Sequence, residues 1–124
     1  LQFTLAENPG AFLSLGATLP QSVRTVLTAC IGLALALLLA HVARTPRLRT
    51  LPFVGLTLIC AGGLSNLIDR VLRDGHVTDF MILRLGSLQT GIFNFADFAI
   101  MTGTLLVALS WRQQNPSPAP DKTP

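Results

Sequence analysis

Charged residues are scarce in this chain, and their scarcity narrows its class. Only 12% of the 124 residues are charged, whereas 50% are apolar. In a typical soluble domain about a quarter of the residues are charged. The length corresponds to one domain. The composition therefore excludes an ordinary soluble domain and predicts an integral membrane protein.

Residues that bind metals or form cross-links are also few. Cys30 and Cys60 lie within apolar segments, and the two histidines, His41 and His76, are isolated. This spacing does not match a zinc site or a disulfide, so small buried cysteines are the better interpretation. No stretch alternates basic and aromatic residues as a groove for single-stranded nucleic acid does. We therefore expect no metal, no cofactor and no nucleic-acid partner.

Three apolar runs have the length of a membrane span. About 20 helical residues, at roughly 1.5 Å each, cross the hydrocarbon core of a bilayer. The runs are residues 22–43, 51–68 and about 92–111. They predict an all-α membrane bundle in which three transmembrane helices are visible.

The segments outside these runs have other patterns. LQFTL (1–5) alternates weakly, as a short strand does, and a turn signal follows it at Asn8-Pro9-Gly10. Residues 70–91 are mixed in character, and we interpret them as a loop. Residues 112–124 are rich in proline and polar residues and predict a disordered tail, which leaves 1–111 as the membrane domain.

The distribution of basic residues favours one orientation of the three spans. The hairpin at 44–50 and the tail lie on one side, with Arg44, Arg47, Arg49, Arg112 and Lys122. The opposite side has Arg24, Arg70, Arg73 and Arg84. The positive-inside rule therefore predicts a cytoplasmic hairpin and tail, by five basic residues to four. The loop that contains Asp79 then faces the extracytoplasmic space.

Two carboxylates carry the functional prediction. Asp97 lies just inside the third apolar run, where an ionisable side chain is costly and normally marks function. Asp79, in the preceding segment, is a candidate partner, although a solvated surface acid is the ordinary interpretation of a loop aspartate. Two carboxylates that share a site cannot both ionise easily, so one retains a proton while the other acts as a base. Such a pair could activate water against a peptide bond.

Further polar residues are expected near these acids. On helices, Asn66 would share a face with Asp69 and Arg70, and Asn94 would share a face with Asp97. Asp69 and Arg70 could alternatively be only a charge pair at a helix end, and Asn94 only the N-cap of the third helix. The candidate supporting residues are Asn8, Gly10, Asn66, Asp69, Arg70 and Asn94.

Four motifs in this order resemble those of the lipoprotein signal peptidases, the signal peptidase II family. They are ENPGAFLSLG (7–16), GGLSNLIDR (62–70), DGHVTDF (74–80) and FNFAD (93–97). The resemblance implies a four-span aspartic endopeptidase in the bacterial cytoplasmic membrane, with an extracytoplasmic β-cradle that LQFTL resembles. The implied partners are membrane lipid, a diacylglyceryl-cysteine prolipoprotein as substrate, and a globomycin-type inhibitor.

The resemblance implies roles for individual residues. Asp79 and Asp97 match the catalytic pair, and Asp69 matches an acid that fixes Arg70. The polar residues lining the substrate site are matched by Asn8, Asn66, Arg70 and Asn94. The chain begins with Leu1 and shows three spans, so we expect the family's first transmembrane helix to be absent from it.

Two other functions are left open by the sequence. A non-catalytic member of the same fold would bind lipoproteins or scaffold a partner. A small proton or solute carrier could use Asp97 as a relay, although no internal repeat or broken helix pair supports one.

Overall fold

The computed structural model describes residues 1–10, 18–45 and 47–114. Three helices dominate this part of the chain: α1 (Gln21–Arg44), α2 (Thr50–Leu72) and α3 (Phe95–Gln114). The strands are β1 (Gln2–Asn8), β2 (Val77–Ile82), β3 (Arg84–Leu85) and β4 (Leu88–Gln89). The mostly helical class is confirmed.

Two of these helices, α1 and α2, are long and apolar enough to cross a membrane. Large apolar side chains on α1, such as Val26, Leu33 and Leu37, are more than half exposed to the surroundings of the protein. A continuous apolar exterior of this kind is typical of a surface that contacts lipid. The helix α3 covers most of the third apolar run, and a third span there stays a prediction.

Close packing of α2 against α3 depends on residues without a Cβ atom. A Cβ on Gly62 would collide with the backbone oxygen of Ala96, and one on Gly55 would lie 2.8 Å from the backbone oxygen of Gly103. The two helices therefore approach within backbone contact, as small residues permit in membrane proteins. This approach brings the end of α2 beside the beginning of α3.

An antiparallel pair, β1 and β2, covers that end of the helices. Its register places Asn8 opposite Val77 and Ala6 opposite Asp79, with an irregularity between Phe3 and Ala6. The strand predicted at LQFTL is thus confirmed and extends to Asn8. The loop predicted for 70–91 is wrong in part, because Asp79 lies within β2 rather than in a loop.

The helix ends differ slightly from the predicted ones. The helix α2 runs past Asp69 and Arg70 to Leu72, because the backbone amide of Arg73 still donates to the carbonyl of Asp69 at 2.9 Å. The helix α3 extends to Gln114, which shortens the predicted tail from its start at residue 112. Residues 115–124, and residues 11–17 of the first motif, lie outside the described part of the chain.

Candidate active site

Asp79 is buried by the pairing of β1 with β2. Alternate residues of β2, namely Val77, Asp79 and Met81, face inward, and Asp79 is only 1% exposed. Asn8, at the end of β1, donates from Nδ2 to Asp79 Oδ2 at 2.8 Å. The sheet therefore holds one carboxylate oxygen of Asp79 against an amide.

A local turn fixes the side chain of Asn8. Its Oδ1 accepts a hydrogen bond from the backbone amide of Gly10 at 2.9 Å. This is the turn that an Asn-Pro-Gly sequence favours, since an Asn side chain readily bonds to the backbone two residues later. With Oδ1 engaged by the backbone, Nδ2 is directed to Asp79.

Asp97 is positioned by the first turn of α3. Its backbone amide donates to Asn94 Oδ1 at 3.0 Å, and its own Oδ2 accepts from the backbone amide of Asn94 at 3.2 Å. This reciprocal pair has the geometry of a capping box, which satisfies two otherwise unpaired amides at a helix start. Asp97 is 4% exposed, so its carboxylate is directed into the protein.

Asn94 also connects the two acids. Its Nδ2 donates to Asp79 Oδ1 at 2.8 Å and to Asn66 Oδ1 at 3.1 Å. Asn66, on α2, in turn donates to Asp97 Oδ1 at 2.9 Å. Asn94 is thus both the helix cap and a direct partner of Asp79 and Asp97.

Burial dominates the electrostatics of Asp79. Removal from water raises the pKa of Asp79 above its ordinary value of 3.8, and the nearby charge of Asp97 raises it further. The hydrogen bonds from Asn8 and Asn94 and the charge of Arg70 oppose this shift without cancelling it. The site is therefore a buried pair of acids surrounded mainly by neutral amide donors.

Arg70 secures the region beside the acids. It donates from Nη2 to the carbonyl of Gly10 at 2.7 Å and from Nη1 to the carbonyl of Asn66 at 3.1 Å. Its guanidinium thereby joins the turn after β1 to the last turns of α2. Gly10 belongs to the site through these backbone contacts.

Asp69 departs from its expected position. Its carboxylate is partly exposed and forms an ion pair with Arg73, at 3.6 Å, one helical turn further along α2. The hydrogen bonds given above hold Arg70 to backbone carbonyls instead. The sequence predicts that Asp69 shares the site, because it would lie on one helix face with Asn66 and Arg70. In the structure, Asp69 instead pairs with Arg73 along the outside of α2.

Arg24 is a polar residue of this region that the sequence did not single out. Its Nη1 donates to the carbonyl of Pro9 at 3.1 Å, directly beside the turn that fixes Asn8. From the sequence, its place near a helix end predicts only a role in orientation within the membrane. The sequence feature that could have indicated a role for Arg24 in the site is its position near the start of α1, at the same end of the bundle as Arg70.

The described residues contain no group of three or more His, Cys, Asp or Glu side chains that could hold a metal ion. The groups that the candidate site offers for chemistry are two carboxylates, three asparagine side chains and a guanidinium.

Comparison with known proteins relates this arrangement to a family. The family model described as Signal peptidase (SPase) II matches residues 1–112. A lipoprotein signal peptidase of Hydrogenovibrio crunogenus is 37% identical over 113 residues, which cover 89% of this chain and 63% of that protein. One from Coxiella burnetii (strain RSA 493) is 36% identical over 108 residues, covering 86% of this chain and 65% of that protein.

A solved structure shows the same fold. A bacterial membrane enzyme superposes with a TM-score of 0.74 at 25% identity, over 98% of this chain and 71% of that one. The chain spans slightly less than two thirds of the length of the two curated relatives, at 63% and 65%. The family match covers nearly the whole chain, and the chain therefore belongs to the signal peptidase II family, a family of proteases.

Proposed function

We propose that this chain belongs to a membrane aspartic endopeptidase that removes signal peptides from prolipoproteins, cutting before a cysteine that carries a diacylglyceryl group. Asp79 and Asp97 are the proposed catalytic pair. The observation that carries the proposal is the contact of one residue, Asn94, with both buried carboxylates: its side chain donates to Asp79 and its backbone amide donates to Asp97. The printed name of the relatives, lipoprotein signal peptidase, supports the class of substrate.

Stability alone does not account for such a pair. Burial of a carboxylate is costly, and placing two of them on a common partner adds repulsion. Asp79 and Asp97 are held by amide groups, whereas the ion pair described for this end of α2 joins Asp69 to Arg73. A buried acid whose pKa is raised, as that of Asp79 is, is more typical of an active site than of a structural core.

The proposed mechanism uses one ionised acid and one protonated acid. Together they hold a water molecule. The ionised carboxylate removes a proton from this water as its oxygen attacks the scissile carbonyl carbon, while the protonated acid donates to the carbonyl oxygen. Collapse of the tetrahedral intermediate breaks the C–N bond, and a proton passes to the leaving amine. The proposal assigns the first proton to the pair rather than to either residue, because two carboxylates that share a site cannot both ionise easily.

The surrounding residues would position the substrate. Arg70, which contacts the turn after β1, and Asn8 and Asn66, which donate to the acids, would bind the main chain of an extended peptide. The acids lie where α2 ends and α3 begins, so a cleavage site there would sit at the edge of the bilayer. We place this edge at the extracytoplasmic face of the bacterial inner membrane, with the lipid chains of the substrate between helices and a globomycin-type inhibitor in the same site.

Substitution of each acid tests the proposal. Asp79→Asn and Asp97→Asn should each slow processing of a diacylglyceryl prolipoprotein at least about 100-fold, the range in which loss of general acid–base catalysis falls. Glu7→Gln is the matched control, because Glu7 is an exposed acid on β1. Processing is followed by the mass shift of the lipoprotein, and insertion by the protease accessibility of the enzyme.

Near-normal cleavage by either aspartate variant would refute the catalytic pair. Binding of the lipidated substrate by the wild-type protein without any cleavage would instead support a non-catalytic member of the fold.

A further inference from the structure

A cleft of about 460 Å³ lies between α1 and α2, beside the candidate active site. It opens at the end of the bundle where α1 begins and α2 ends. Its lining combines charged groups with small and apolar ones. The lining residues that matter here are Arg24, Thr28, Ala29, Leu67, Arg70 and Asp74.

Arg24, one of the residues lining this cleft, has a guanidinium whose hydrogen bonds are incomplete among the described residues. Its Nη1 donates to the carbonyl of Pro9, but its Nε is buried and has no hydrogen-bond partner among the described residues. A buried donor without a partner costs free energy, and native proteins contain few of them. A ligand oxygen would satisfy this group once the guanidinium turns toward the cleft.

The charge of the cleft favours an anion. Two guanidinium groups, those of Arg24 and Arg70, line it together with one carboxylate, that of Asp74, which is exposed. Guanidinium groups match the geometry of phosphate oxygens and bind them through several charge-assisted hydrogen bonds. The cleft therefore suits a ligand whose negative charge lies near both arginines.

The apolar wall of the cleft indicates what is attached to that anion. Ala29 and Leu67 lie further from the ends of α1 and α2 than the arginines do. Because α1 and α2 are candidate membrane spans, this wall lies toward the hydrocarbon region and the arginines lie toward its edge. Arginines at the edge of the hydrocarbon region are placed to bond the phosphate of a lipid head group while the apolar wall contacts its acyl chain.

We propose that this cleft binds an anionic glycerophospholipid, with its phosphodiester on Arg24 and Arg70 and an acyl chain along Ala29 and Leu67. The lipid is distinct from the prolipoprotein substrate. Arg70 also contacts the carbonyls of Gly10 and Asn66, so the bound phosphate would steady residues next to Asp79 and Asp97. The binding itself does not depend on the proposed cleavage reaction.

Lipid retention by the purified protein tests this site independently of activity. The protein in detergent is titrated with phosphatidylglycerol, and bound lipid is counted by native mass spectrometry. Arg24→Gln should weaken binding roughly tenfold or more, as expected for loss of a charge-assisted hydrogen bond. Arg84→Gln is the control, because Arg84 is an exposed arginine on β3, outside the cleft.

A second variant guards against a folding defect in Arg24→Gln. Ala29→Leu fills the apolar wall while leaving both arginines intact, and Ala34→Leu makes the same change at an exposed position of α1 that does not line the cleft. Binding should fall in Ala29→Leu and persist in Ala34→Leu. Equal binding by all four variants and the wild type would overturn the proposal.

Three competitors decide the class of ligand. Phosphatidylcholine should compete weakly, because its head group has no net charge, and inorganic phosphate should compete weakly because it lacks acyl chains. Equally strong competition by inorganic phosphate would reduce the site to a phosphate site and overturn the lipid proposal. Displacement by a diacylglyceryl-cysteine peptide at the concentration at which phosphatidylglycerol binds would also overturn it, because the cleft would then hold substrate.

Discussion

Replacement of Asn94 separates its two roles, helix cap and connection between the acids. Asn94→Ser keeps a side-chain oxygen that can accept from the backbone amide of Asp97, as Asn94 Oδ1 does now at 3.0 Å. It removes the Nδ2 donor that reaches Asp79 at 2.8 Å and Asn66 at 3.1 Å. Asn94→Ala removes both the donor and the cap.

The magnitudes follow from these contacts. A hydrogen bond to a charged group contributes about 1.5–3 kcal/mol, so Asn94→Ser should lower the free energy of unfolding by about 2 kcal/mol. Loss of an N-cap costs about a further 1 kcal/mol, so Asn94→Ala should lower it by about 3 kcal/mol. Asn94→Ser should also slow cleavage, because Asp79 then loses the donor on Oδ1. The cleavage rate should fall even at temperatures where the variant stays folded, so the loss of stability does not explain it.

The two cysteines provide an assay. Cys60 is buried at 5% exposure, whereas Cys30 is exposed, and both are free thiols. In a Cys30→Ser background, a thiol-reactive fluorophore reports the temperature at which Cys60 becomes accessible. The midpoint should fall in the order wild type, Asn94→Ser, Asn94→Ala. If Asn94→Ser matched the wild type in midpoint and in cleavage rate, the side chain of Asn94 would not hold Asp79, and the link between the two acids on which the proposed pair depends would be lost.

Two further predictions concern packing and pH. Gly62→Ala should destabilise the protein by about 1–3 kcal/mol and slow cleavage, because the added methyl meets the Ala96 backbone next to Asp97, whereas Gly32→Ala should leave thermal stability unchanged or slightly raised, its methyl meeting only Leu67 at 3.4 Å. An equal loss of stability in both variants would contradict the packing explanation. Burial raises the pKa of Asp79 above 3.8, so the folded state binds this proton more tightly than the unfolded state. Its contribution to stability is therefore fully present below about pH 4 and is lost as the pH rises through the raised value, so melting curves recorded by circular dichroism from pH 4 to 7 should decline more steeply in the wild type than in Asp79→Asn. Parallel declines would contradict the raised pKa.

The helices could be predicted from the sequence because they depend on a local property. Runs of apolar residues at 22–43 and 51–68 correspond to α1 and α2 within a few residues. The far end of α2 was placed too early because Asp69 and Arg70 are charged. In the structure these side chains lie along the last turns, where Asp69 pairs with Arg73 and Arg70 bonds back to the carbonyl of Asn66. Charge alone therefore does not end a helix at the edge of a bilayer.

The strand β2 was missed because its buried face contains an acid. Val77, Asp79 and Met81 alternate inward, but the aspartate breaks the apolar pattern by which a buried strand is recognised. Its pairing with β1 is long-range, and a local pattern carries no information about it. The resemblance to the family supplied the β-cradle, although the residues alone indicated only β1.

The positions of Asn66 and Asn94 could be predicted only in part. Spacing on a helix correctly joined Asn94 with Asp97, because both lie in one turn. It also joined Asn66 with Asp69, whose carboxylate pairs with Arg73 in the structure, so a role of Asp69 in the site stays a prediction. The contact of Asn66 with Asp97 depends on how closely α2 approaches α3, which Gly62 determines through packing rather than through any polar pattern.

The same close approach explains why neutral side chains surround the acids. With α2 and α3 in backbone contact at Gly62, the space beside Asp97 admits an amide such as Asn66, whose Nδ2 donates to the carboxylate and whose Oδ1 accepts from Asn94. An arginine or lysine at hydrogen-bonding distance would lower the proton affinity of the pair. Arg70 instead bonds to backbone carbonyls and acts on the acids only through its field. Amide donors, rather than a hydrogen-bonded cation, orient the carboxylates, which leaves one acid able to hold the proton that the proposed reaction requires.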